Sequence, residues 1–130
     1  MGDNKKCIFC NIRDNLNESR IIYENDLWVA IWDGYPVSMG HTLLIPKRHC
    51  STYLDLNMAE AATLMGSIKE VVNILKMKYG AKDFNIGVNC GKNAGQTVMH
   101  CHIHIIPRYE GDCENPRGGV RGVIPSKQSY

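Results

Sequence analysis

The chain has 130 residues and a formal net charge of +2 at pH 7, and this length lets one domain bury roughly two-thirds of its unfolded surface. So mild a charge does not indicate a nucleic-acid-binding surface, although a few local cations can still hold a small anion. No stretch approaches the roughly 18 apolar residues of a membrane span, and the N-terminal "MGDNKKCIFC" lacks the apolar run of a signal peptide. We therefore expect a cytoplasmic protein.

The first part of the chain predicts one short helix and three strands. The segment "CIFCNIRDN" has the length of one or two helical turns. After it, "RIIYEN" and "LWVAIWD" are rich in β-branched and aromatic residues, and we expect them to pair as a hairpin that turns at residues 24–26. "HTLLIPKRH" predicts a third strand, which Pro46 closes because proline cannot continue the ladder of a central strand.

One long helix is predicted between Asn57 and Tyr79. Apolar residues recur there at spacings of three and four along one face, namely Leu64, Ile68, Val71, Val72 and Leu75. Asn57 with Glu60 three residues later has the form of a capping box, and Gly80 stands where helices commonly end. Both ends of the pattern therefore support the same helix.

The last part of the chain predicts two more strands and a tail. "DFNIGVN" is read as a fourth strand and "VMHCHIHIIP" as a fifth, which stops at Pro107. Residues 111–130 are rich in glycine and proline and predict an irregular C-terminal tail. Since no repeat or linker divides the chain, we expect a single α+β domain over residues 1–130, with a five-stranded, mostly antiparallel sheet. The long helix should cover one face of this sheet.

Three of the five histidines fall at every second position of the fifth strand, as His100, His102 and His104. In a strand these side chains share one face, whereas the alternating Cys101, Ile103 and Ile105 belong to the core on the other. The Cα atoms of the first and third histidines are then roughly 13 Å apart, too far for both to bind one metal ion whose Zn–N bonds are about 2.0 to 2.1 Å long. At least one histidine must have another task.

The middle histidine, His102, is a candidate nucleophile, because neutral imidazole is available near pH 7 and can attack phosphorus or an acyl carbon. His104 can then donate to a phosphate oxygen or to the leaving group. The preceding Gln96, Thr97 and Asn89 offer polar groups that suit a phosphoryl group. The alternative is a solvated strand face with no chemistry.

A metal site is indicated by Cys7 and Cys10, because the C-x-x-C pair supplies two of the four ligands that a structural zinc needs. The main rival is a redox pair, although a redox C-x-x-C is expected after a strand in a βαβ unit. On spacing alone the other ligands stay open, and the candidates are His41, His49, Cys50, His100 and Cys101.

The segment "AGQTVMHCHIHIIPR" resembles the defining H-x-H-x-H motif of the histidine triad (HIT) family. The resemblance extends over most of the chain: "CIFCNI" is similar to the N-terminal segment of the family, and "WVAIWDGYPVSMGHTLLIPKRH" to its nucleotide-binding strand pair. "FNIGVNCGKNAGQTV" is similar to the approach to the triad.

This resemblance implies a hydrolase that cleaves at the α-phosphate of a nucleoside phosphoramidate or a dinucleoside polyphosphate. It implies that His102 forms a nucleotidyl-histidine intermediate and that His104 assists the leaving group. The resemblance further implies that Asp33 binds the ribose and that three residues bind the phosphate, namely Asn89, Gln96 and Thr97. It implies that a purine base contacts four apolar residues, namely Ile8, Phe9, Ile12 and Ile31. The alternative interpretation is that Asp33 opens a turn with Gly34 and that the apolar residues belong to an ordinary core.

The resemblance also implies a structural zinc ion held by Cys7, Cys10, His49 and His100, while His41 supports the triad from behind. Position 104 is histidine and not the glutamine of the nucleotide-transferring branch, which favours hydrolysis. Family members commonly dimerise, so a homodimer is expected. Two other hypotheses stay open: a purine mononucleotide sensor or adaptor with incidental turnover, and an enzyme in which zinc is catalytic.

Overall fold

The computed structural model describes residues 7–14 and 20–130. The predicted single domain spans 1–130, so part of it, residues 1–6 and 15–19, lies outside the described residues. The helices and strands are α1 (Ile8–Asp14), β1 (Ile21–Glu24), β2 (Trp28–Trp32), β3 (Thr42–Pro46), α2 (Met58–Tyr79), β4 (Asp83–Gly87) and β5 (Ile103–Arg108). Short 3₁₀ turns lie at Tyr53–Asp55, Lys92–Ala94, Gly119–Val123 and Pro125–Lys127.

The five strands form one sheet in the order β1-β2-β3-β5-β4, and every pairing is antiparallel. The prediction of an α+β fold with a five-stranded sheet, one long helix and one short helix is confirmed. No helix in the described ranges is both long and apolar enough to cross a membrane.

Helix α2 has the caps that its sequence predicts. The side chain of Asn57 accepts a hydrogen bond from the Glu60 amide at 2.8 Å, and the Glu60 carboxylate accepts one from the Asn57 amide at 2.8 Å. Gly80 adopts a left-handed φ of 67° and its N–H donates to the Lys76 carbonyl, which ends the helix. Capping at both ends is the reason that the element begins and ends where it does.

Alternation along the strands separates two apolar clusters, one on each face of the sheet. The cluster under α2 is built around Trp28, Ala30, Leu44, Cys50, Ile68, Val71, Leu75, Cys101, Ile103 and Ile105. The cluster under α1 contains Cys7, Phe9, Cys10, Val29, Ile31, Leu43 and Ile45. The long helix therefore covers one face, and the short N-terminal helix packs on the other.

The fifth strand differs from its prediction at both ends. It begins at Ile103, so His100 and His102 precede it, and the amide of Cys101 donates to the Cys50 carbonyl at 2.7 Å outside any strand. The strand also continues past Pro107 to Arg108. β5 pairs with β3 only as far as Ile105, so at Pro107 the strand has a partner on one side only, β4. The missing N–H of the proline therefore interrupts no hydrogen bond to β3.

The tail is more regular than predicted. It contains the two 3₁₀ turns at Gly119–Val123 and Pro125–Lys127 instead of irregular chain alone. The first of these turns contacts β4. The tail is therefore folded against the same end of the sheet that carries the last histidine.

Candidate active site and metal centre

The histidine segment lies on the sheet face that α1 covers. The ring of His102 packs edge-on against Phe9 of α1, with centroids 5.0 Å apart, and against His104, with centroids 5.3 Å apart. His104 lies within β5, opposite Leu43 of β3 and Gly87 of β4. The two histidines expected to act on a substrate are therefore neighbours, one at the start of the strand and one inside it.

A single hydrogen bond determines which nitrogen of His102 is available. Its Nδ1 lies 2.9 Å from the backbone carbonyl of His100, and a carbonyl oxygen only accepts. In the neutral tautomer of this ring the proton is therefore on Nδ1. Nε2 keeps its lone pair, which is the state that a nucleophile needs.

A second chain of hydrogen bonds determines the state of His104. The amide of Val37 donates to Nδ1 of His41 at 3.1 Å, so the proton of that ring is on Nε2. Nε2 of His41 is 2.9 Å from Nδ1 of His104 and 3.3 Å from Oδ2 of Asp33. The His41 N–H therefore donates to His104, whose own proton must be on Nε2.

The charges of the site agree with this assignment. The pKa of His104 is lowered to about 4, chiefly by burial and also by the nearby His102 and His41, against the opposing effect of Asp33. Burial also lowers the pKa of His41, against the opposing effect of Asp33. Both rings are therefore neutral at pH 7, and His104 presents an N–H donor instead of a positive charge.

Four candidate metal ligands from three separated parts of the chain come together at the first histidine of the triad. They are Cys7, Cys10, His49 and His100, and their ligand atoms all lie within 4.8 Å of one another. Nδ1 of His49 is 3.1 Å from Nδ1 of His100 and 3.2 Å from Sγ of Cys10. Sγ of both cysteines is 3.4 Å from Nδ1 of His100.

These distances suit a tetrahedral zinc ion. With Zn–N bonds of about 2.0 to 2.1 Å and Zn–S bonds of about 2.3 Å, tetrahedral geometry separates two nitrogens by about 3.3 Å and a nitrogen from a sulfur by about 3.5 Å. Nε2 of His100 donates to the carbonyl of Pro46 at 2.9 Å, which directs the lone pair of Nδ1 toward the cysteines. The donor set and its supporting hydrogen bond therefore fit zinc.

The two other cysteines that were candidate ligands lie on the opposite side of the sheet. Cys50 and Cys101 belong to the apolar cluster under α2, and burial raises the pKa of each thiol. Each one directly follows a histidine of the metal cluster in sequence, and its side chain packs in the apolar cluster under α2 instead.

The expected phosphate contacts fall into two kinds. Asn89 borders the same cavity as His104, and Thr97 is exposed. Gln96 is buried, with its amide oxygen accepting from the Gly91 amide at 2.8 Å and its nitrogen donating to the Ser51 and Val98 carbonyls at 2.6 and 3.0 Å. The side chain of Gln96 is thus committed to holding the loop before the triad.

The residues expected around the ribose and base are spread over several environments. Ile31 has no exposed surface and Phe9 is buried, whereas Ile12 is half-buried and Ile8 is 53% exposed. Asp33 contacts His41, and its other oxygen accepts from the Tyr35 amide at 2.7 Å. A ligand in this conformation can reach Ile8 more readily than Ile31.

The contact between Asp33 and His41 is the part of the site that the sequence analysis missed. The backbone amide of Asp33 donates to the carbonyl of His41 at 3.0 Å, which closes the loop between β2 and β3. Because Trp32 pairs with Thr42, the positions one residue beyond each are necessarily adjacent. The register of the β2–β3 hairpin would have predicted that Asp33 and His41 are adjacent.

The family model of the HIT domain matches residues 15–111. The chain belongs to the HIT family. It is 41% identical over 118 residues to an uncharacterized HIT-like protein of Methanocaldococcus jannaschii, a match that covers 90% of this chain and 91% of that protein. It is 38% identical over 107 residues to adenylylsulfatase HINT3 of Arabidopsis thaliana, covering 82% and 54% of the two chains. A bis(5'-nucleosyl)-tetraphosphatase of Schizosaccharomyces pombe is 37% identical over 94 residues, covering 72% and 52%.

Solved structures of the HIT family have the same fold. A HIT family protein from Bacillus anthracis superposes with a TM-score of 0.77 at 35% identity, covering 85% of this chain and 78% of that one. A Zn-bound histidine triad family protein from Mycobacterium smegmatis has a TM-score of 0.75 at 34% identity, covering 82% and 78%.

The HIT site has a testable acid–base property. We expect the ring of His104 to stay neutral down to about pH 4, since burial lowers its pKa. Asp33→Asn removes the charge that raises this pKa, so the pKa of His104 should fall further in the variant. Imidazole ¹⁵N shifts measured against pH report both values.

Asp26→Asn is the matched control, because Asp26 is exposed in the turn between β1 and β2. It should leave the titration of His104 unchanged. A His104 pKa near 6.5 in the native protein, or a rise in Asp33→Asn, would contradict the hydrogen-bond chain described above.

Proposed function

We propose that this HIT protein hydrolyses a nucleotide derivative at its α-phosphate, through a nucleotidyl intermediate on His102. The observation that carries the proposal is the hydrogen bond from Nδ1 of His102 to the His100 carbonyl, which leaves Nε2 as a free lone pair beside His104. Two relatives are named for the hydrolysis of related phosphate bonds, an adenylylsulfatase and a bis(5'-nucleosyl)-tetraphosphatase. We infer that this chain likewise acts on a purine nucleotide, at its α-phosphate.

In the first half of the reaction, Nε2 of His102 attacks phosphorus. A P–N bond to the ring forms as the bond to the leaving group breaks, and the leaving group takes that electron pair. The ring gains positive charge while Nδ1 keeps its proton, and the His100 carbonyl accepts this stronger hydrogen bond. His104 donates its Nε2–H to a phosphate oxygen or to the departing atom.

In the second half, water attacks the same phosphorus and the P–N bond breaks. The electron pair returns to Nε2 of His102, the protons of the water pass to solvent, and the nucleoside monophosphate leaves. His102 is then again neutral with its proton on Nδ1. His41 acts through His104, because it touches the ring that touches the substrate and is itself buried.

We retain the remaining predicted contacts as parts of this proposal. Asn89 and Thr97 would bind the phosphate directly, whereas Gln96, also predicted as a phosphate contact, would act by holding the loop that carries Thr97, because its side chain is hydrogen-bonded to the backbone there. Asp33 would bind the ribose with the carboxylate that also contacts His41. The apolar face of α1 and the adjacent sheet would hold the base, through Ile8, Phe9, Ile12 and Ile31.

We propose that the metal cluster holds structural zinc through Cys7, Cys10, His49 and His100. When bound, zinc would cross-link α1 to the β3 end and to the triad segment. Four protein ligands support a structural role, since they would fill a tetrahedral coordination shell and leave no open position for a substrate. The chain's own residues then perform the phosphoryl chemistry.

Substitution of the nucleophile tests the proposed function. His102→Ala should lower kcat for a nucleoside phosphoramidate by about 10³-fold or more and should abolish a covalent nucleotidyl adduct trapped by alkaline denaturation, in which a P–N bond to histidine survives. Met99→Ala is the matched control, since this side chain is 46% exposed three residues earlier in the same segment. An adduct that persists in His102→Ala disproves the assignment, and tight mononucleotide binding without turnover in the native protein favours the sensor hypothesis instead.

Removal of the metal tests its proposed structural role. Chelation, or Cys10→Ser, should lower the melting temperature by roughly 10 °C or more because a folding constraint is lost. Cys113→Ser is the matched control, since Cys113 is exposed and outside the cluster. Activity that vanishes on chelation with an unchanged melting temperature, and returns with other divalent ions, would make the metal catalytic.

We also propose a homodimer. β4 is the last strand in the order of the sheet and its Ile86 is 41% exposed, an arrangement that suits pairing with a second copy. Sedimentation velocity should give twice the 14.6 kDa mass of one chain, and Ile86→Lys should shift the protein toward monomer. Met77→Lys, on the exposed side of α2 at 90% exposure, should not. A mass of 14.6 kDa at every concentration would exclude the dimer.

A further inference from the structure

The segment of residues 48–50 lies just after β3 and carries one of the four candidate metal ligands. His49 places its Nδ1 3.1 Å from Nδ1 of His100 and 3.2 Å from Sγ of Cys10. The segment belongs to no helix or strand, so no ladder of the sheet holds it in position. Contacts outside the sheet must therefore hold this ligand at the cluster.

The same segment also holds the backbone of the triad. The carbonyl of Cys50 accepts a hydrogen bond from the amide of Cys101 at 2.7 Å. Cys101 lies between His100 and His102 in the chain, and the carbonyl of His100 accepts from Nδ1 of His102 at 2.9 Å. The segment therefore supports both the metal cluster and the backbone that determines the tautomer of the candidate nucleophile.

An ion pair with a buried carboxylate joins this segment to α2. The two carboxylate oxygens of Glu60 accept from Nε and Nη2 of Arg48, at 3.0 and 2.8 Å, and Nη2 also donates to the carbonyl of Asp55 at 3.0 Å. Glu60 is 1% exposed, and the hydrogen bonds from Arg48 lower its pKa, so the carboxylate is charged at pH 7. A bidentate pair fixes the orientation of the arginine as well as its distance.

Glu60 has a second contact at the start of α2. One of its carboxylate oxygens also accepts from the amide of Asn57 at 2.8 Å, as part of the helix cap. The helix in turn packs on the apolar cluster beneath it through Ile68, Val71 and Leu75. Because a buried charge without a partner is strongly unfavourable, Arg48 is kept at this carboxylate. The segment is thus attached to a well-packed helix.

The neighbouring ion pair has no such connection. Nζ of Lys47 lies 2.9 Å from Oε2 of Glu24, and the two side chains are 32% and 41% exposed. Glu24 ends β1, so this pair joins two parts of the sheet that the ladders already hold. A pair so exposed to water contributes little to stability. It therefore offers a comparison for the pair between Arg48 and Glu60.

We propose that Arg48 and Glu60 are positioning residues of the candidate site, which act through residues 48–50 on the affinity for zinc and on the orientation of His102. Glu60 acts through Arg48, and Arg48 acts through its chain neighbours His49 and Cys50. The inference rests on the proposed function, because its second part concerns the nucleophile of that reaction. Loss of the pair would let the metal ligand and the triad backbone shift together.

The test replaces Glu60 with glutamine in the zinc-loaded protein. Glu60→Gln keeps the length of the side chain and one oxygen for the Asn57 amide, so the helix cap is retained. It removes the negative charge and one of the two oxygens to which Arg48 donates. All measurements are made below the melting temperature of every variant, so that only folded protein is compared.

Two quantities should change in Glu60→Gln. The Kd for zinc, measured by competition with a chelator, should rise by about tenfold or more, the usual effect of losing a group that orients a metal ligand. The kcat for a nucleoside phosphoramidate should fall by about tenfold while KM stays within about twofold, because the nucleophile is displaced and the substrate contacts remain.

Glu24→Gln is the matched control, since it makes the same substitution in the partner of Lys47. It should change the Kd for zinc and kcat by less than about twofold, the ordinary effect of a surface change. Arg48→Lys is a second variant, which keeps the positive charge but loses the bidentate contact. The side chain of Arg48 is 44% exposed, so a lysine has room there and should shift both quantities in the same direction as Glu60→Gln, by a smaller factor.

The outcomes separate the inference from the proposed function. A Glu60→Gln protein with a lower melting temperature but the native Kd and kcat overturns the inference, as do equal effects in Glu24→Gln. In either case a nucleotidyl adduct on His102 of the native protein still upholds the proposed function. Absence of both adduct and turnover in the native protein overturns the proposed function, and the Kd for zinc then still tests the action of the pair on His49.

Discussion

The hydrogen bond between Nδ1 of His102 and the carbonyl of His100 is the interaction on which the candidate site depends. It joins the two halves of the site, because the same His100 places its side chain in the metal cluster and its carbonyl against the next triad histidine. Movement of His100 would release the tautomer of His102. Under the proposed function, a metal ion in this cluster would therefore support the position of His102 without touching the substrate.

The last triad histidine depends on a different part of the fold. The loop between β2 and β3 closes through the backbone bond from Asp33 to His41, and this closure presents the Val37 amide to the His41 ring. The resulting donor reaches His104 from behind. This loop therefore orients His104, which burial keeps neutral, while the segment just before β5 positions His102, and the two rings are in contact.

The C-terminal tail is folded against β4 by tight turns and contacts within the tail. Its glycines allow the turn at Gly119–Val123 to pack tightly against Gln128, and the turn contributes apolar side chains to the cavity beside His104. The arginines of the tail contact Tyr130 and backbone carbonyls, so the positive charge of the tail is kept away from that lining.

Local patterns in the sequence determined most of the fold. The spacing of apolar residues and the capping pair Asn57 and Glu60 predict α2, and the alternation of β2 and β3 predicts which residues face each cluster, because these features act between near neighbours. The residue types of the candidate site could also be recognised in the sequence, and the family resemblance implied the ligands of the zinc site. What only the tertiary structure decided is the meeting of Cys7 with His100, the proton position on each ring and the cavity under the tail. Each of these depends on partners distant in sequence, whose approach is determined by packing and not by local spacing.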